Sequence, residues 1–305
     1  MKNILITGAA GFIGNALWKR WGDKYNLIGL DDMSRETAIA PRPTPQRESI
    51  LFFKDSLYSE DPFFEKIISS SGDPLDAIIH LGAQVSVTDS VKDPIRDCRT
   101  NIEGTLRMCM LAQKYKCKLI YSSTNKVFGS LENVKSPILD DRPLMPSTPY
   151  GISKCAGAQY VLDMLPEKGF VFHQSCIYGE TQVGTVDQGW VGWLRNCIKR
   201  EEPITCFGDG TQVRDLLHVE DLINIYEMVI NEKLLPGAYV TGGGEENAYS
   251  FADVMQMLEG QVSKYDEWRP SDQRYFVSAN EGLTNQGWKP DIKFPNWLNQ
   301  NLLKK

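Results

Sequence analysis

The chain has 305 residues, of which 42% are hydrophobic, so it can bury the core of one large domain or of two joined domains. Its formal net charge of −6 gives no basic surface for nucleic acid or an anionic membrane. No apolar run reaches the roughly 20 residues that span a bilayer, and the N-terminus lacks the pattern of a secretory leader. Seven scattered cysteines form no C-x-x-C pair, which argues against a disulfide framework or a metal site. We therefore expect a cytoplasmic protein that binds neither membrane nor nucleic acid.

The N-terminal segment predicts a strand, a glycine-rich turn and a helix, in that order. The turn carries Gly8, Gly11 and Gly14, each three residues after the last. Glycines let the backbone approach a pyrophosphate, and a helix that begins there directs free N–H groups and its positive dipole end at the phosphates. The segment therefore predicts a dinucleotide site, with Phe12 and Ile13 among its contacts.

A second predicted strand ends at Asp31, about 20 residues beyond the glycines. An acid at this point can bind the ribose 2′-hydroxyl, and its charge repels the 2′-phosphate of NADP. The sequence therefore predicts NAD as the cofactor. Asn101 either forms a hydrogen bond near Tyr150, the candidate active-site tyrosine, or caps a helix. The full set of further predicted cofactor contacts is Ser34, Arg35, Asp55, Ser56, Leu81, Gly82, Ala83, Asn101, Tyr150 and Lys154.

Strand and helix patterns alternate along the first part of the chain, which is typical of a parallel sheet covered on both faces. Beyond residue 176 the pattern changes to tryptophans, glycines and shorter helices, with one late strand at 237–243. We predict an α/β fold, a Rossmann-type doubly wound parallel sheet with a smaller C-terminal domain. The NAD-binding domain would comprise residues 1–175 with the return strand near 237–243, and the substrate-binding domain residues 176–305.

A phenol and an ammonium group lie in the segment Tyr150-Gly-Ile-Ser-Lys154. Residues four apart project from the same face of a helix, so the two side chains can meet. A model tyrosine has a pKa of about 10, and a nearby cation lowers it. We therefore predict that Tyr150 is a catalytic base and that Lys154, together with an oxidised nicotinamide, lowers its pKa.

Several polar and aromatic residues are candidates for a substrate site. Arg214 and Arg274 are far apart in sequence, but both could reach one diphosphate through charge-assisted hydrogen bonds; each could instead form a surface ion pair. Trp190 could stack on a nucleotide base, although an aromatic at helical spacing more often packs in a core. The complete set of candidate substrate contacts is Gln84, Thr124, Asn125, Lys126, Gln188, Trp190, Arg214 and Arg274.

Taken together, these motifs resemble the extended short-chain dehydrogenases/reductases that modify nucleotide sugars, the NAD-dependent epimerase/dehydratase family. The resemblance covers nearly the whole chain. It rests on Thr7-Gly-Ala-Ala-Gly-Phe-Ile-Gly14, Ser122-Ser-Thr124, Tyr150-x-x-x-Lys154 and Val213-Arg-Asp-Leu-Leu-His-Val-Glu-Asp221. Within that group, three segments are most similar to the CDP-paratose (CDP-tyvelose) 2-epimerases: Ser123-Thr-Asn-Lys-Val-Phe-Gly129, Asp187-Gln-Gly-Trp-Val-Gly-Trp193 and Ser271-Asp-Gln-Arg-Tyr-Phe-Val277.

The resemblance implies an isomerase of carbohydrate biosynthesis, such as that of lipopolysaccharide. Tightly bound NAD would oxidise a sugar hydroxyl and return the hydride to the other face. The substrate would be a nucleotide-diphosphate sugar, with a CDP-sugar favoured, and the enzyme a homodimer or higher homo-oligomer. The implied roles are Tyr150 as base, Lys154 as its partner, Thr124 as hydroxyl orienter, Asp31 as ribose ligand, and Arg214 and Arg274 as diphosphate ligands.

The chain also departs from its relatives at informative positions. Where 4,6-dehydratases hold Asp-Glu, this chain has Asn125 and Lys126, which cannot act as the paired acid and base that remove water. His173 replaces an expected arginine, and with Cys176 it could suggest an acid–base pair, although a packed strand end is favoured. We expect a C2-epimerase of a CDP-deoxysugar. A nucleotide-sugar 4-epimerase or a reductase is the alternative, and an NAD-binding sensor or scaffold is the non-enzymatic one.

Overall fold

The computed structural model describes residues 1–35, 51–54, 57, 74–269 and 272–302. The strands within these ranges are β1 (Asn3–Thr7), β2 (Asn26–Asp31), β3 (Leu51–Lys54), β4 (Ala77–His80), β5 (Lys118–Thr124), β6 (Gly169–Gln174), β7 (Cys176–Tyr178), β8 (Thr205–Phe207), β9 (Val213–His218), β10 (Gly237–Thr241), β11 (Ala248–Ser250), β12 (Lys264–Asp266) and β13 (Tyr275–Phe276).

The helices of the same ranges are α1 (Phe12–Trp21), α2 (Val87–Lys92), α3 (Pro94–Cys98), α4 (Gly104–Tyr115), α5 (Pro149–Met164), α6 (Trp190–Lys199), α7 (Val219–Ile230), α8 (Phe251–Met257), α9 (Glu281–Thr284) and α10 (Phe294–Leu302). A π-helical turn, Arg99–Glu103, precedes α4, and a 3-10 turn, Asn125–Phe128, follows β5. None of the described helices combines the length and apolar composition that crossing a bilayer requires.

A seven-stranded parallel sheet dominates the described residues, in the order β10-β6-β5-β4-β1-β2-β3. The order reverses at β1, as in a doubly wound dinucleotide fold, and confirms the predicted fold class. β10 pairs with β6 along Gly237–Thr241, so the late strand extends this sheet. A smaller sheet joins β11, β9 and β13, with β7 pairing with β9.

Among the apolar clusters of the described residues, three join helices to the two sheets. On one face of the large sheet, α1 and α7 pack through side chains such as Trp21 and Tyr226. On the other face, α4 and α5 pack through Met108 and Val161. The third cluster joins α6, α8 and α10 to the smaller sheet around Tyr178. The chain beyond residue 176 therefore contributes both α7 and β10 to the layers around the large sheet.

The strand ends decide where a site can form. β1, β2, β4, β5 and β6 are parallel, so their carboxyl ends meet at one edge of the large sheet. Thr7 lies opposite His80 in the pairing of β1 with β4, and Thr124 lies opposite Gln174 in the pairing of β5 with β6. This edge collects most of the predicted cofactor and catalytic residues.

Candidate active site

The glycine-rich turn is packed so closely that side chains are excluded from it. Gly8 has φ +69°, and a Cβ there would lie 2.8 Å from the Gly82 backbone nitrogen. A Cβ on Gly14 would lie 2.4 Å from the Gly8 carbonyl oxygen. Gly11 is the N-cap of α1, and Phe12 and Ile13 anchor its first turn against the core. The N-terminal N–H groups of α1 are thereby presented at the carboxyl edge of the sheet, where they fit a pyrophosphate.

Asp31 is tied to this turn by backbone hydrogen bonds. Its Oδ2 accepts from the Ala10 N–H at 3.0 Å, and its Oδ1 accepts from the Met33 N–H at 2.9 Å. Burial raises the pKa of the carboxyl group, and the two backbone bonds oppose that shift. Arg35 is close enough for its charge to act on both Asp31 and Tyr150. Each carboxylate oxygen keeps a lone pair for a ribose hydroxyl.

Ser34, Asp55 and Ser56 are further predicted cofactor contacts. Ser34 donates its backbone N–H to the side chain of Asp32 at 2.9 Å, which shapes the turn after β2. Asp55 and Ser56 lie outside the described residues. Their predicted cofactor contacts therefore stay predictions.

Leu81, Gly82 and Ala83 form a loop that is fixed at both ends. The Gly82 N–H donates to Thr7 Oγ1 at 3.0 Å. The Gln84 N–H donates to Asn101 Oδ1 at 2.9 Å, and Asn101 Nδ2 donates to the Gln84 carbonyl at 3.0 Å. Asn101 lies inside the π-helical turn and caps no helix, so the capping alternative is wrong. The side chain of Gln84 bonds locally to the Ser86 carbonyl.

The structure brings the three predicted catalytic side chains together. Thr148 caps α5 by accepting from the Gly151 N–H at 3.1 Å, which places Tyr150 in the first turn of that helix. Thr124 ends β5, and its side chain is close enough to the phenol of Tyr150 to lower the phenol pKa. Tyr150 and Thr124 are each 8% exposed and Lys154 is 3% exposed. The hydroxyl, phenol and amine thus share one buried site.

Burial opposes ionisation of both Tyr150 and Lys154. Desolvation raises the pKa of Tyr150 to about 12 and lowers the pKa of Lys154 to about 7. The predicted effect of Lys154 on the phenol pKa stays a prediction, and in the polypeptide by itself burial makes both charged forms costly.

Two residues of this site were missed in the sequence. Lys154 Nζ lies 4.1 Å from the centroid of the Tyr121 ring, a cation–π distance. Asp97 is 1% exposed, and its Oδ1 accepts from Asn101 Nδ2 at 3.1 Å. The spacing of Asp97 and Asn101, four residues apart, is a helical contact that the sequence contained.

Of the two arginines predicted to bind a diphosphate, Arg214 lies on β9 and Arg274 directly precedes the neighbouring strand β13. The Val213 N–H donates to the Arg274 carbonyl at 3.0 Å, and the pairing of β9 with β13 sets Arg214 opposite Phe276. The Arg214 guanidinium donates to the Val213 and Gln273 carbonyls at 2.7 and 2.6 Å. These bonds fix the guanidinium in place.

Arg274 borders a cavity of about 350 Å³. Its guanidinium carbon lies 3.2 Å from the centroid of the Trp268 ring, so the indole holds it by a cation–π contact. Ser130, Glu132, Arg269 and Asp272 complete the lining. Trp268 and Arg269 were not singled out from the sequence, because neither belongs to a short motif with a recognised mechanism.

Asn125 and Lys126 occupy the 3-10 turn that follows Thr124. Thr124 Oγ1 donates to Asn125 Oδ1 at 3.3 Å, and the Asn125 carbonyl accepts from Gln273 Nε2 at 2.9 Å. Lys126 Nζ lies 3.5 Å from Asp272 Oδ1. Burial, followed by the charge of Arg214, lowers the pKa of Lys126. The turn therefore connects Thr124 to the segment that carries Arg274.

Trp190 packs mainly as a core side chain. Its ring stacks on Phe251 with centroids 6.0 Å apart and planes 27° apart, and its Nε1 donates to Cys176 Sγ at 3.2 Å. Gln188 precedes α6 in a tight turn with Thr185. Within the described ranges, Gln188 Oε1 is buried without a hydrogen-bond partner. Of the two side chains, Gln188 therefore offers the free acceptor.

His173 and Cys176 are packed separately. His173 Nδ1 lies 3.0 Å from Ser123 Oγ, and its ring meets Phe128 edge to face. Burial lowers the pKa of His173 to about 4 and raises the pKa of the Cys176 thiol, so both groups are neutral near pH 7. These contacts agree with a packed strand end.

Comparison with protein families matches residues 4–242 to the NAD dependent epimerase/dehydratase family. The chain belongs to this family. The predicted enzyme class and the NAD cofactor are thereby confirmed, and the sensor or scaffold alternative is not supported.

Several relatives align with nearly the whole length of this chain. It is 33% identical to the CDP-paratose 2-epimerase of Salmonella typhi, with 95% of each chain covered. It is 27% identical to a putative UDP-glucose 4-epimerase of Methanocaldococcus jannaschii, with 98% of this chain and 99% of the relative covered. Among solved structures, the UDP-glucose 4-epimerase of Thermotoga maritima with UDP-glucose superposes with a TM-score of 0.83 and 27% identity, covering 98% and 99% of the two chains.

The residues of this family member fit a bound NAD. The glycine turn leaves backbone N–H groups for the pyrophosphate, and Asp31 retains lone pairs for the ribose. The loop of Leu81 to Ala83 and the buried Tyr150 border the same sheet edge. NAD bound there supplies a reversible acceptor for a hydride.

Proposed function

We propose that this chain is an epimerase that inverts C2 of a CDP-linked deoxysugar by transient oxidation and re-reduction with tightly bound NAD. The observation that carries the proposal is the 33% identity to a CDP-paratose 2-epimerase across 95% of both chains. The buried arrangement of Thr124, Tyr150 and Lys154 supports the chemistry.

The polypeptide would handle the proton of the sugar hydroxyl. Tyr150 takes this proton as the carbon is oxidised, and Thr124 holds the oxygen in line with the phenol. Lys154, as an ammonium ion, balances the charge that the phenolate would carry. When the ketone has turned its other face to the hydride donor, Tyr150 returns the proton to the same oxygen. Proton and hydride are both returned, so the product is an isomer of the substrate.

The neighbouring turn supports epimerisation over loss of water. Elimination requires an acid and a base close to the oxidised sugar. Asn125 does not ionise, and its side chain accepts from Thr124. Lys126 lies within ion-pair distance of Asp272 and cannot supply both functions. A dehydratase reaction is therefore disfavoured.

The positions of Arg214 and Arg274 support a diphosphate substrate. Arg274 points its guanidinium face at Trp268 and borders the 350 Å³ cavity, and Arg214 is fixed on the adjacent strand. Guanidinium groups bind phosphate oxygens in bidentate fashion. Gln188 Oε1 provides a buried acceptor, which the exocyclic amine of cytosine could satisfy.

A UDP-glucose 4-epimerase is the second candidate. The 27% identity to relatives of that name, over nearly the entire chain, favours it over other family reactions. The same Thr124, Tyr150 and Lys154 would serve at C4, so the site alone does not distinguish the two carbons. A reductase would instead consume NADH in proportion to its product.

The test is a direct assay with CDP-paratose and UDP-glucose as separate substrates. Proton NMR should show CDP-paratose converting to its C2 epimer, with no net change in NADH absorbance. Tyr150→Phe is the matched control and should retain NAD without turnover. Conversion of UDP-glucose with no conversion of CDP-paratose would replace the proposal by the second candidate. Stoichiometric NADH consumption would indicate a reductase.

We also propose that the enzyme is a homodimer that pairs through α4 and α5. These helices pack side by side and leave large apolar side chains exposed: Met110 at 58%, Ile152 at 52% and Tyr160 at 40%. Light scattering should give twice the mass of one chain. Ile152→Glu should give a monomer, while Leu235→Glu, at a 68% exposed position elsewhere, should not. A wild-type monomer would contradict this assembly.

A further inference from the structure

His80 is a buried imidazole that the proposed reaction does not use. It is the last residue of β4, it is 1% exposed, and its two ring nitrogens each face a threonine hydroxyl. Nδ1 lies 2.7 Å from Thr7 Oγ1, and Nε2 lies 3.0 Å from Thr105 Oγ1. Both threonines are fully buried. The imidazole therefore joins β1, which leads into the glycine-rich turn, to α4 on the neighbouring layer.

The outer hydrogen bonds of the two threonines reach both ends of the loop that follows β4. Thr7 Oγ1 accepts from the Gly82 N–H at 3.0 Å. Thr105 Oγ1 donates to the Asn101 carbonyl at 2.6 Å, and the Asn101 amide bonds to the backbone of Gln84. The imidazole therefore belongs to a buried polar circuit that holds this loop at both ends. Each member of such a circuit is costly to leave unsatisfied.

The hydroxyl hydrogens determine which nitrogen of His80 carries the proton. Thr105 gives its hydroxyl hydrogen to a carbonyl, so it can only accept from Nε2. Burial lowers the pKa of His80 to about 3, so the ring is neutral near pH 7 and Nδ1 carries no hydrogen. Thr7 therefore donates to Nδ1 while it accepts from the peptide N–H of Gly82. The hydrogen bonds on both sides of the ring thus agree on one tautomer.

The circuit ends at backbone that packs against the glycine-rich turn. A Cβ on Gly8 would lie 2.8 Å from the Gly82 nitrogen and 2.9 Å from the carbonyl carbon of Leu81. The Gly82 nitrogen is the atom whose hydrogen Thr7 accepts. Closely packed backbone transmits a displacement to its neighbour. A shift of Gly82 would therefore move the turn that presents N–H groups to a pyrophosphate.

We propose that His80, as the neutral tautomer protonated on Nε2, is a positioning residue that holds the Gly82 backbone against Gly8 and so shapes the turn that binds the pyrophosphate of NAD. The inference goes beyond the proposed function, because it concerns the cofactor and does not depend on which nucleotide sugar is the substrate.

The test removes the acceptor of the Nε2 hydrogen with Thr105→Val. Valine keeps the shape of threonine but has no hydroxyl, so the circuit is broken at its far side from NAD. Exchange of bound NAD for isotope-labelled NAD, measured on the purified holoenzyme without any sugar, should become roughly tenfold faster. Thr105→Ser retains the hydroxyl and should release NAD close to the wild-type rate.

Thr241→Val is the matched control. Thr241 is also fully buried in the large sheet, but it lies on the edge strand β10, where its hydroxyl donates to the Tyr239 carbonyl at 3.2 Å. This variant should lose thermal stability without faster release of NAD. Equal acceleration in both valine variants would reflect a general loss of stability and would overturn the role of His80.

A double variant tests whether the two threonines act through the imidazole. If they do, Thr7→Val combined with Thr105→Val should accelerate NAD release by less than the product of the two single effects. Full additivity would show that Thr7 and Thr105 act independently and would contradict the proposal. An enzyme that fails to convert CDP-paratose would still give this result, so failure of the proposed function is distinguishable.

The tautomer itself can be measured without any threonine variant. The chain has three histidines, so the imidazole ¹⁵N resonances can be assigned by their loss in His80→Gln or by elimination with variants of the other two. In the wild-type holoenzyme near pH 7, Nε2 of His80 should be protonated and Nδ1 should not. A ring protonated on Nδ1, or on both nitrogens, would overturn the proposal even if Thr105→Val does not fold.

Discussion

Replacing Asp31 by asparagine should remove the preference for NAD over NADP. In the structure both carboxylate oxygens accept backbone N–H groups, from Ala10 at 3.0 Å and Met33 at 2.9 Å. Asparagine has one acceptor oxygen, so one of these N–H groups faces an amide donor and loses its bond. An unsatisfied buried donor costs about 1–3 kcal/mol, which should appear as lower thermal stability of the variant.

The effect on NAD follows from the lost charge. A hydrogen bond from a ribose hydroxyl to a charged acceptor contributes about 1.5–3 kcal/mol, so NAD affinity should fall about 10- to 150-fold. NADP should bind no worse, because the repulsion between the carboxylate and the 2′-phosphate disappears. The ratio of the two dissociation constants should therefore approach unity.

Calorimetry with both dinucleotides measures this ratio. Asp32→Asn is the control, because Asp32 is the exposed neighbour whose side chain accepts one N–H, from Ser34. That variant should keep the wild-type preference. The pH dependence has a definite sign: burial raises the pKa of Asp31, so the preference is complete above that pKa and is lost as the pH falls through it. Equal affinities in the wild type, or an unchanged ratio in Asp31→Asn, would refute the reasoning.

Three further outcomes are expected. Tyr150→Phe should keep the fold and NAD binding but lower turnover roughly 100-fold or more, measured by product NMR; near-normal turnover would exclude Tyr150 as the base. Arg214→Ala should weaken CDP binding in calorimetry far more than NAD binding, since Arg214 is a proposed ligand of the substrate diphosphate. Equal losses for both ligands would exclude Arg214 from the substrate site. Epimerisation in heavy water should leave the inverted carbon without deuterium, because a hydride taken and returned never meets solvent; stoichiometric deuterium in the product would indicate proton abstraction at carbon.

Local patterns determined much of the fold and of the cofactor prediction. Alternating strand and helix patterns specify a parallel sheet, since each element can be recognised from its own residues. The cofactor prediction depends on the spacing of the glycines and Asp31 and on the backbone freedom of glycine. Both can be read from the sequence. The same holds for Tyr150 and Lys154, whose separation by one helical turn places them together once α5 forms.

Tertiary structure decided the contacts and charge states of the site. The segments that carry Arg214 and Arg274 meet because β9 and β13 pair, and no local pattern encodes that pairing. The role of Asn101 depends on a π-helical turn and on partners from two other segments. The pKa values of Lys154 and Tyr150 depend first on desolvation, which arises only when the chain packs. Burial is a property of the packed chain. The sequence therefore predicts which groups are catalytic, whereas packing determines how burial shifts their pKa values.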